Sequence, residues 1–223
     1  METTAAPDHQ ADGLSGHAVT AAVDSAAEAA NEDSQARSAT YAILASLLHG
    51  APEQDLLDYL CHIDSTGLSQ PGTVGEAWIE LSQAAKSCEE TSLDDDYHDL
   101  FIGLGRGKVI PHGSWHMTGF LMDKPLSDLR NDLKTLGFVA SEDHKDPEDH
   151  ISALCETMSI LITAADIEGY QQRRFFIQHI HPWASSFFDE VTGSAKTDFY
   201  KAVGRLGRAF MALEDEYLNI QDH

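Results

Sequence analysis

The chain has 223 residues, of which 37 are acidic and 14 basic, and its formal net charge is −23 at pH 7 with histidine neutral. This length is sufficient for one sizeable hydrophobic core, or for two small lobes that share one. The negative field repels nucleic acid and anionic membranes and attracts cationic partners.

Three widely spaced cysteines without a C-x-x-C pair are typical of a reducing compartment. No uncharged run approaches the ~20 residues of a membrane span, and no basic residue precedes Arg37, so we expect a cytoplasmic protein without an export or transit signal.

Apolar residues recur at helical spacing along the chain, without a convincing alternating pattern, and predict an all-α fold. Residues 1–33 are rich in small and acidic residues but poor in large apolar ones, which favours a disordered tail. In the alternative, the Ala-rich part from Ala18 to Ala30 extends the first helix backwards. That helix is predicted to start near Ser34 or Ser38 and to end at Gly50, and it is followed by predicted helices at 53–63, 77–87, 93–103, 115–122 and 125–136.

A charged segment, residues 140–149, is predicted to be a hinge between an N-terminal helical lobe, 34–139, and a C-terminal helical lobe, 150–223. Within it, Asp146 is expected to cap a helix that has Pro147 at its first position. Glu148 and Asp149 would then lie in the first turn, beside the positive end of the helix dipole. The strongest apolar periodicity follows at 151–167; later helices are predicted at 174–181, from Pro182 onwards, and after a cap at Ser194.

Two partial motifs for nucleotide binding or catalysis are incomplete. The segment Gly103–Val109 has only three residues between Gly103 and Gly107, and it lacks the hydroxyl that follows the lysine of a phosphate-binding loop. Ser114 lies between two histidines, but neither a nucleophile elbow nor a third triad member can be identified. We therefore expect no enzyme activity and no bound cofactor.

Twelve histidines and the acidic surplus leave metal binding or metal delivery as the alternative function. The pairs His112/His116 and His179/His181 complete no established metal motif, so these histidines are expected at the surface or in the core.

Four short segments occur in order along the chain: Tyr97-x-x-Leu100-Phe101-x-Gly103, Pro111-x-x-Ser114-Trp115, Pro147-x-Asp149-His150 and Phe176-x-x-His179-Ile180-x-Pro182-Trp183. Together they resemble the TorD/DmsD/NarJ family of redox-enzyme maturation chaperones, most closely TorD and DmsD. The resemblance extends over about residues 36–217. It implies a non-enzymatic, all-helical cytoplasmic chaperone that binds the twin-arginine leader peptide and the apoenzyme of a molybdenum or tungsten oxidoreductase, and that assists cofactor insertion before export. It also implies either a monomer or a homodimer that exchanges lobes across the hinge.

Carried over by position, the resemblance assigns peptide binding to Tyr97, Pro111, Ser114, Trp115, Asp149 and His150. The residue chemistry is compatible, because a twin-arginine peptide needs carboxylates that accept a guanidinium through two hydrogen bonds, next to an apolar groove. Glu148 joins Asp149 as a candidate carboxylate, whereas Phe101 is expected in the core. The chain departs from the family at His112, where an aromatic residue often follows the loop proline, and at Asp146, where a glutamate is usual. It also has no motif for the weak guanine-nucleotide binding of the family.

Overall fold

The structure is a computed structural model that describes residues 13–63, 72–103, 107–139 and 146–220. Its α-helices are α1 (Gly13–His49), α2 (Gln54–Cys61), α3 (Val74–Ser87), α4 (Glu90–Tyr97), α5 (Gly113–Thr118), α6 (Lys124–Thr135), α7 (Ile151–Thr163), α8 (Gly169–Phe175), α9 (Ala184–Ser194) and α10 (Asp198–Ile220). Single π-helical turns, His98–Ile102 and Phe176–Ile180, continue α4 and α8. In the described ranges the extended pairing is limited to one isolated bridge, so the all-α prediction is confirmed.

The core forms where the long helices turn their apolar faces toward one another. α1 packs on α7, and α10 packs on both α3 and α9. Tyr41 of α1 and Phe210 of α10 are almost completely buried, and their rings meet edge to face with centroids 4.7 Å apart. Phe101 lies in this core, as expected, and Cys155 lies there as well. These contacts join helices from both sides of residues 140–149.

A buried ion pair fixes α1 against α10. The guanidinium of Arg37 donates two hydrogen bonds to Glu214, at 2.5 Å to Oε1 and 2.8 Å to Oε2. The hydroxyl of Tyr41 donates to the same carboxylate at 3.1 Å, and the guanidinium lies 4.1 Å above the ring of Tyr217. Because both oxygens of Glu214 have hydrogen-bond partners, the carboxylate is tolerated in a fully buried position.

The starts of α1 and α10 differ from their predictions. α1 begins at Gly13 instead of Ser34 or Ser38, because an anchored helix can continue through alanine-rich sequence without a new nucleation step. Ser194 ends α9 and does not cap α10. The carboxylate of Asp96 instead accepts from the backbone N–H groups of Lys196, at 3.1 Å, and Thr197, at 2.8 Å, just before α10.

The domain boundaries stay predictions. Residues 1–12 of the expected tail and residues 140–145 of the expected hinge lie outside the described residues.

Candidate functional site

Two of the four motif segments meet through their backbones. The N–H of Gly113 donates to the carbonyl of Asp149 at 2.9 Å, and the N–H of Ile151 donates to the carbonyl of Pro111 at 2.8 Å. These bonds form the antiparallel bridge between His112 and His150. The loop before α5 and the segment before α7 are therefore held as one unit.

This pairing corrects the predicted start of α7. The helix begins at Ile151, and its N-cap is His150, whose Nδ1 accepts from the N–H of Ser152 at 3.2 Å. The predictions that Asp146 caps the helix, that Pro147 is its first residue, and that Glu148 and Asp149 lie in its first turn are wrong. The N–H of His150 donates to the Pro147 carbonyl in a turn, after which the backbone must stay extended to pair with residues 111–113.

The side chain of Asp149 is turned into the protein. It is 3% exposed; its Oδ2 accepts from the N–H of Ser114 at 2.7 Å, and its Oδ1 accepts from Nδ1 of His112 at 3.2 Å. Burial raises the pKa of this carboxyl, but the hydrogen bonds from His112 and Ser114 outweigh burial and hold the pKa below its usual value. Both oxygens are thus used internally, and the charged carboxylate positions the loop from Pro111 to Ser114.

His150 is also an internal group. It is 8% exposed, and burial, reinforced by the nearby His112, lowers its pKa to about 4. The imidazole is therefore neutral near pH 7, as its role as a hydrogen-bond acceptor at the N-terminus of α7 requires. Its ring meets that of His112 edge to face, with centroids 5.1 Å apart.

Glu148 is more accessible than Asp149, with 30% of its side chain exposed. Arg130 of α6 grips it as a fork: Nε lies 3.0 Å from Oε1 and 2.9 Å from Oε2, and Nη2 lies 2.8 Å from Oε2. This hydrogen bonding lowers the pKa of Glu148. A guanidinium that approaches from the surface can therefore reach this carboxylate and bind it through two hydrogen bonds.

The remaining predicted site residues divide by exposure. Tyr97 is buried, its hydroxyl donates to the carbonyl of His49 at 2.8 Å, and burial raises its pKa to about 12. Pro111 and Ser114 are buried, whereas Trp115 is partly exposed. The hydroxyl oxygen of Ser114 accepts from the N–H of Met122 at 3.1 Å, which gives this serine a structural partner instead of a catalytic base.

Residues of the fourth motif pack against the loop before α5. The indole N–H of Trp183 donates to the carbonyl of His179 at 2.8 Å, and the imidazole of His116 stacks on the indole with centroids 5.0 Å apart. A Cβ on Gly113 would lie 3.0 Å from the indole nitrogen, so the close approach of loop and ring favours glycine there. His179 is buried, and its Nε2 lies 2.9 Å from Asp132 Oδ2.

Sequence reasoning missed an exposed apolar loop beside this site. α5 ends at Thr118, four residues before the predicted end at Met122, because Gly119 adopts a left-handed backbone with φ of 82°. The side chains that follow point outward, and a groove of about 560 Å³ lies next to them, between α5, α6 and the end of α8. The signal in the sequence is the run Phe120-Leu121-Met122, directly after a glycine that interrupts the helical periodicity.

The metal-binding alternative is not supported. Over the described ranges, no group of three or more His, Cys, Asp or Glu side chains is placed to hold a metal ion.

None of the helices in the described ranges combines the length and apolar character that crossing a membrane requires.

Comparison with known proteins gives one consistent result. The model of the family described as nitrate reductase delta subunit matches residues 69–189. The chain is 26% identical over 202 residues to the chaperone protein TorD of Vibrio atlanticus, covering 82% of this chain and 94% of that protein. It is 28% identical over 139 residues to the Tat proofreading chaperone DmsD of Salmonella typhimurium, covering 61% and 67% respectively. A crystal structure of a putative redox enzyme maturation protein from Archaeoglobus fulgidus superposes with a TM-score of 0.52 at 20% identity, covering 78% of this chain and 93% of that one, and thus shares its fold.

Proposed function

Because the chain belongs to the nitrate reductase delta subunit family and is a redox-enzyme maturation chaperone, not an enzyme, we propose that it binds a twin-arginine leader. The leader is that of a molybdenum or tungsten oxidoreductase, and binding takes place in the cytoplasm. In this proposal the chaperone also holds the apoenzyme while the cofactor is inserted, and releases it for export. The confirmed family resemblance and the site geometry both support this function.

The observation that carries the proposal is the fork between Arg130 and Glu148. A twin-arginine leader presents two guanidiniums followed by an apolar stretch, so its binder needs an accessible carboxylate with bidentate geometry. Glu148 already accepts a guanidinium through three contacts of 2.8–3.0 Å. The net charge of −23 adds a long-range field that speeds capture of a cationic peptide.

The seven predicted site residues then take two different roles. Glu148 and Trp115, which are partly exposed, contact the leader in this proposal. The others are buried and keep the surface in shape: they are Tyr97, Pro111, Ser114, Asp149 and His150.

Isothermal titration calorimetry with the full chain and a synthetic twin-arginine leader tests this function. We expect binding that weakens as salt is raised, because partly exposed charge pairs are screened. Glu148→Gln removes the charge but keeps the shape, and it should weaken binding roughly tenfold, or about 1.4 kcal/mol. This lies within the difference between hydrogen bonds to charged groups, about 1.5–3 kcal/mol each, and neutral ones, about 1 kcal/mol.

Two controls sharpen the experiment. Glu156→Gln removes an equally charged, exposed side chain from α7 and should leave binding unchanged. A leader whose two arginines are replaced by lysine should bind the wild type more weakly, because an ammonium cannot form the fork. If neither the wild-type leader nor a client apoenzyme binds, the proposed function is wrong.

The oligomeric state belongs to the same proposal. A lobe-exchanged homodimer requires residues 140–149 to act as a hinge, and light scattering coupled to gel filtration distinguishes it from a monomer by mass.

A further inference from the structure

Four large apolar side chains are exposed within six residues at the end of α5. The exposed fractions are 42% for Met117, 70% for Phe120, 53% for Leu121 and 72% for Met122, and these four residues are called the apolar loop below. Single exposed apolar residues are normal on a protein surface, but a contiguous group of this kind marks an interaction site.

The apolar loop is held in its outward conformation by polar contacts beneath it. The N–H of Met122 donates to the Ser114 hydroxyl at 3.1 Å, and the N–H of Phe120 lies 3.3 Å from the Thr118 hydroxyl. At its far end Asp123 caps α6 by accepting from the N–H of Lys124 at 2.7 Å. The backbone is therefore fixed at both ends while the apolar side chains stay in water, an arrangement that costs free energy in the isolated protein.

The apolar loop is continuous with the proposed arginine site. Ser114 accepts from Met122 through its hydroxyl and donates its N–H to Asp149, the neighbour of Glu148. Helix α6 starts directly after the loop, and Arg130, farther along this helix, is hydrogen-bonded to Glu148. The six-residue separation of Lys124 and Arg130 corresponds to about 9 Å along the helix, which about three residues of an extended peptide span.

Charge selects among possible occupants of this surface. Asp128 and Glu148 are paired with Lys124 and Arg130 of α6, so it is the net charge of −23 on the whole chain that disfavours an anionic lipid surface. A ligand that is cationic at one end and apolar a few residues later matches both the carboxylate of Glu148 and the apolar loop.

We propose that the apolar loop is the docking surface for the apolar segment that follows the arginines of the leader. This inference rests on the proposed function and extends it, because it assigns the apolar part of the peptide to a surface that the resemblance did not indicate. The leader then lies along α6, with its arginine at Glu148 and its apolar residues on Phe120, Leu121 and Met122.

The test compares two peptides on two protein variants. Phe120→Ser combined with Leu121→Ser removes two of the four exposed apolar side chains, at positions that the fold does not bury. Calorimetry should show at least about tenfold weaker binding of the full leader. A truncated peptide that ends after the arginines should bind the variant and the wild type equally. Tyr59→Ser is the matched control. The ring of Tyr59 is also exposed, at 58%, but it lies on α2, which packs on α3. This variant should bind both peptides normally.

The outcomes separate this inference from the proposed function. If the wild type binds the full leader and the double variant, with an unchanged thermal midpoint, binds it equally well, the docking surface is wrong while the proposed function stands. Equal weakening of both peptides also overturns the inference, since the loop would then act on the arginine site. A change from dimer to monomer with unaltered leader affinity would identify a second copy as the occupant and overturn it as well. If the wild type binds no leader, both proposals fail.

Discussion

The replacement Asp149→Asn distinguishes a positioning role from direct contact with the leader. The carboxylate accepts from the N–H of Ser114 at 2.7 Å and from His112 at 3.2 Å. Asparagine keeps the shape and can still accept from Ser114, but it loses the charge on a buried group that two donors face. Hydrogen bonds to charged groups contribute about 1.5–3 kcal/mol each and neutral ones about 1 kcal/mol, so we expect a loss of about 2 kcal/mol in the free energy of unfolding.

The expected loss has a measurable size and a defined pH dependence. For a chain of this length, 2 kcal/mol corresponds to a fall of roughly 4–8 °C in the thermal midpoint. The folded-state pKa of Asp149 is lowered, so its contribution is complete above the unfolded pKa of about 4 and is lost as the pH falls through the folded value. The difference between wild type and Asp149→Asn in urea unfolding should therefore be largest near pH 7 and shrink in acid.

One result would refute this reasoning. If Asp149→Asn unfolds at the wild-type urea concentration but no longer binds the leader, the carboxylate contacts the peptide directly and does not act through the loop from Pro111 to Ser114. Equal effects on stability and binding that His112→Ala reproduces would support the positioning role.

Three further perturbations test other parts of the structure. Arg37→Met should lower the free energy of unfolding by about 3–5 kcal/mol, measured by urea denaturation, because the buried carboxylate of Glu214 loses its charged partner. Gly107→Ala should lower the thermal midpoint, since the new Cβ would lie 2.5 Å from the backbone of the π-helical turn that ends α4. Arg130→Gln should tighten leader binding in calorimetry by a factor of about 1.4 to 5, because an exposed ion pair that competes for Glu148 is worth about 0.2–1 kcal/mol.

Each of these predictions has a control and a contrary outcome. Combining Arg37→Met with Glu214→Leu should restore most of the stability, and continued instability would point to lost packing. Gly50→Ala meets no atom within 4 Å and should leave the thermal midpoint unchanged. Lys124→Gln removes the same charge from α6 but pairs with Asp128, so an equal tightening there would mean that net charge alone causes the effect of Arg130→Gln.

Several features of the fold could be predicted from the sequence because they depend on local patterns. Apolar residues at helical spacing predicted helices in the regions of α1, α7 and α10, and Phe101 lies in the core as expected. The four ordered motifs indicated the family, because the identity and spacing of their residues are properties of the chain itself. Helix ends were less accurate where distant residues decide them, as when Asp96 of α4 caps α10.

The site shows most clearly what only the tertiary structure decides. In the sequence, Glu148 and Asp149 are adjacent carboxylates with the same chemistry. In the structure, the backbone of residues 149–151 pairs with that of residues 111–113. Asp149 is turned inward to Ser114 and His112, 35 and 37 positions away, while Glu148 stays accessible beside Arg130. The exposure of the apolar loop depends on a hydrogen bond from Met122 to Ser114, a buried residue eight positions earlier. Local periodicity determines which segments become helices, but the direction of a side chain depends on partners far along the chain, and no local pattern encodes them.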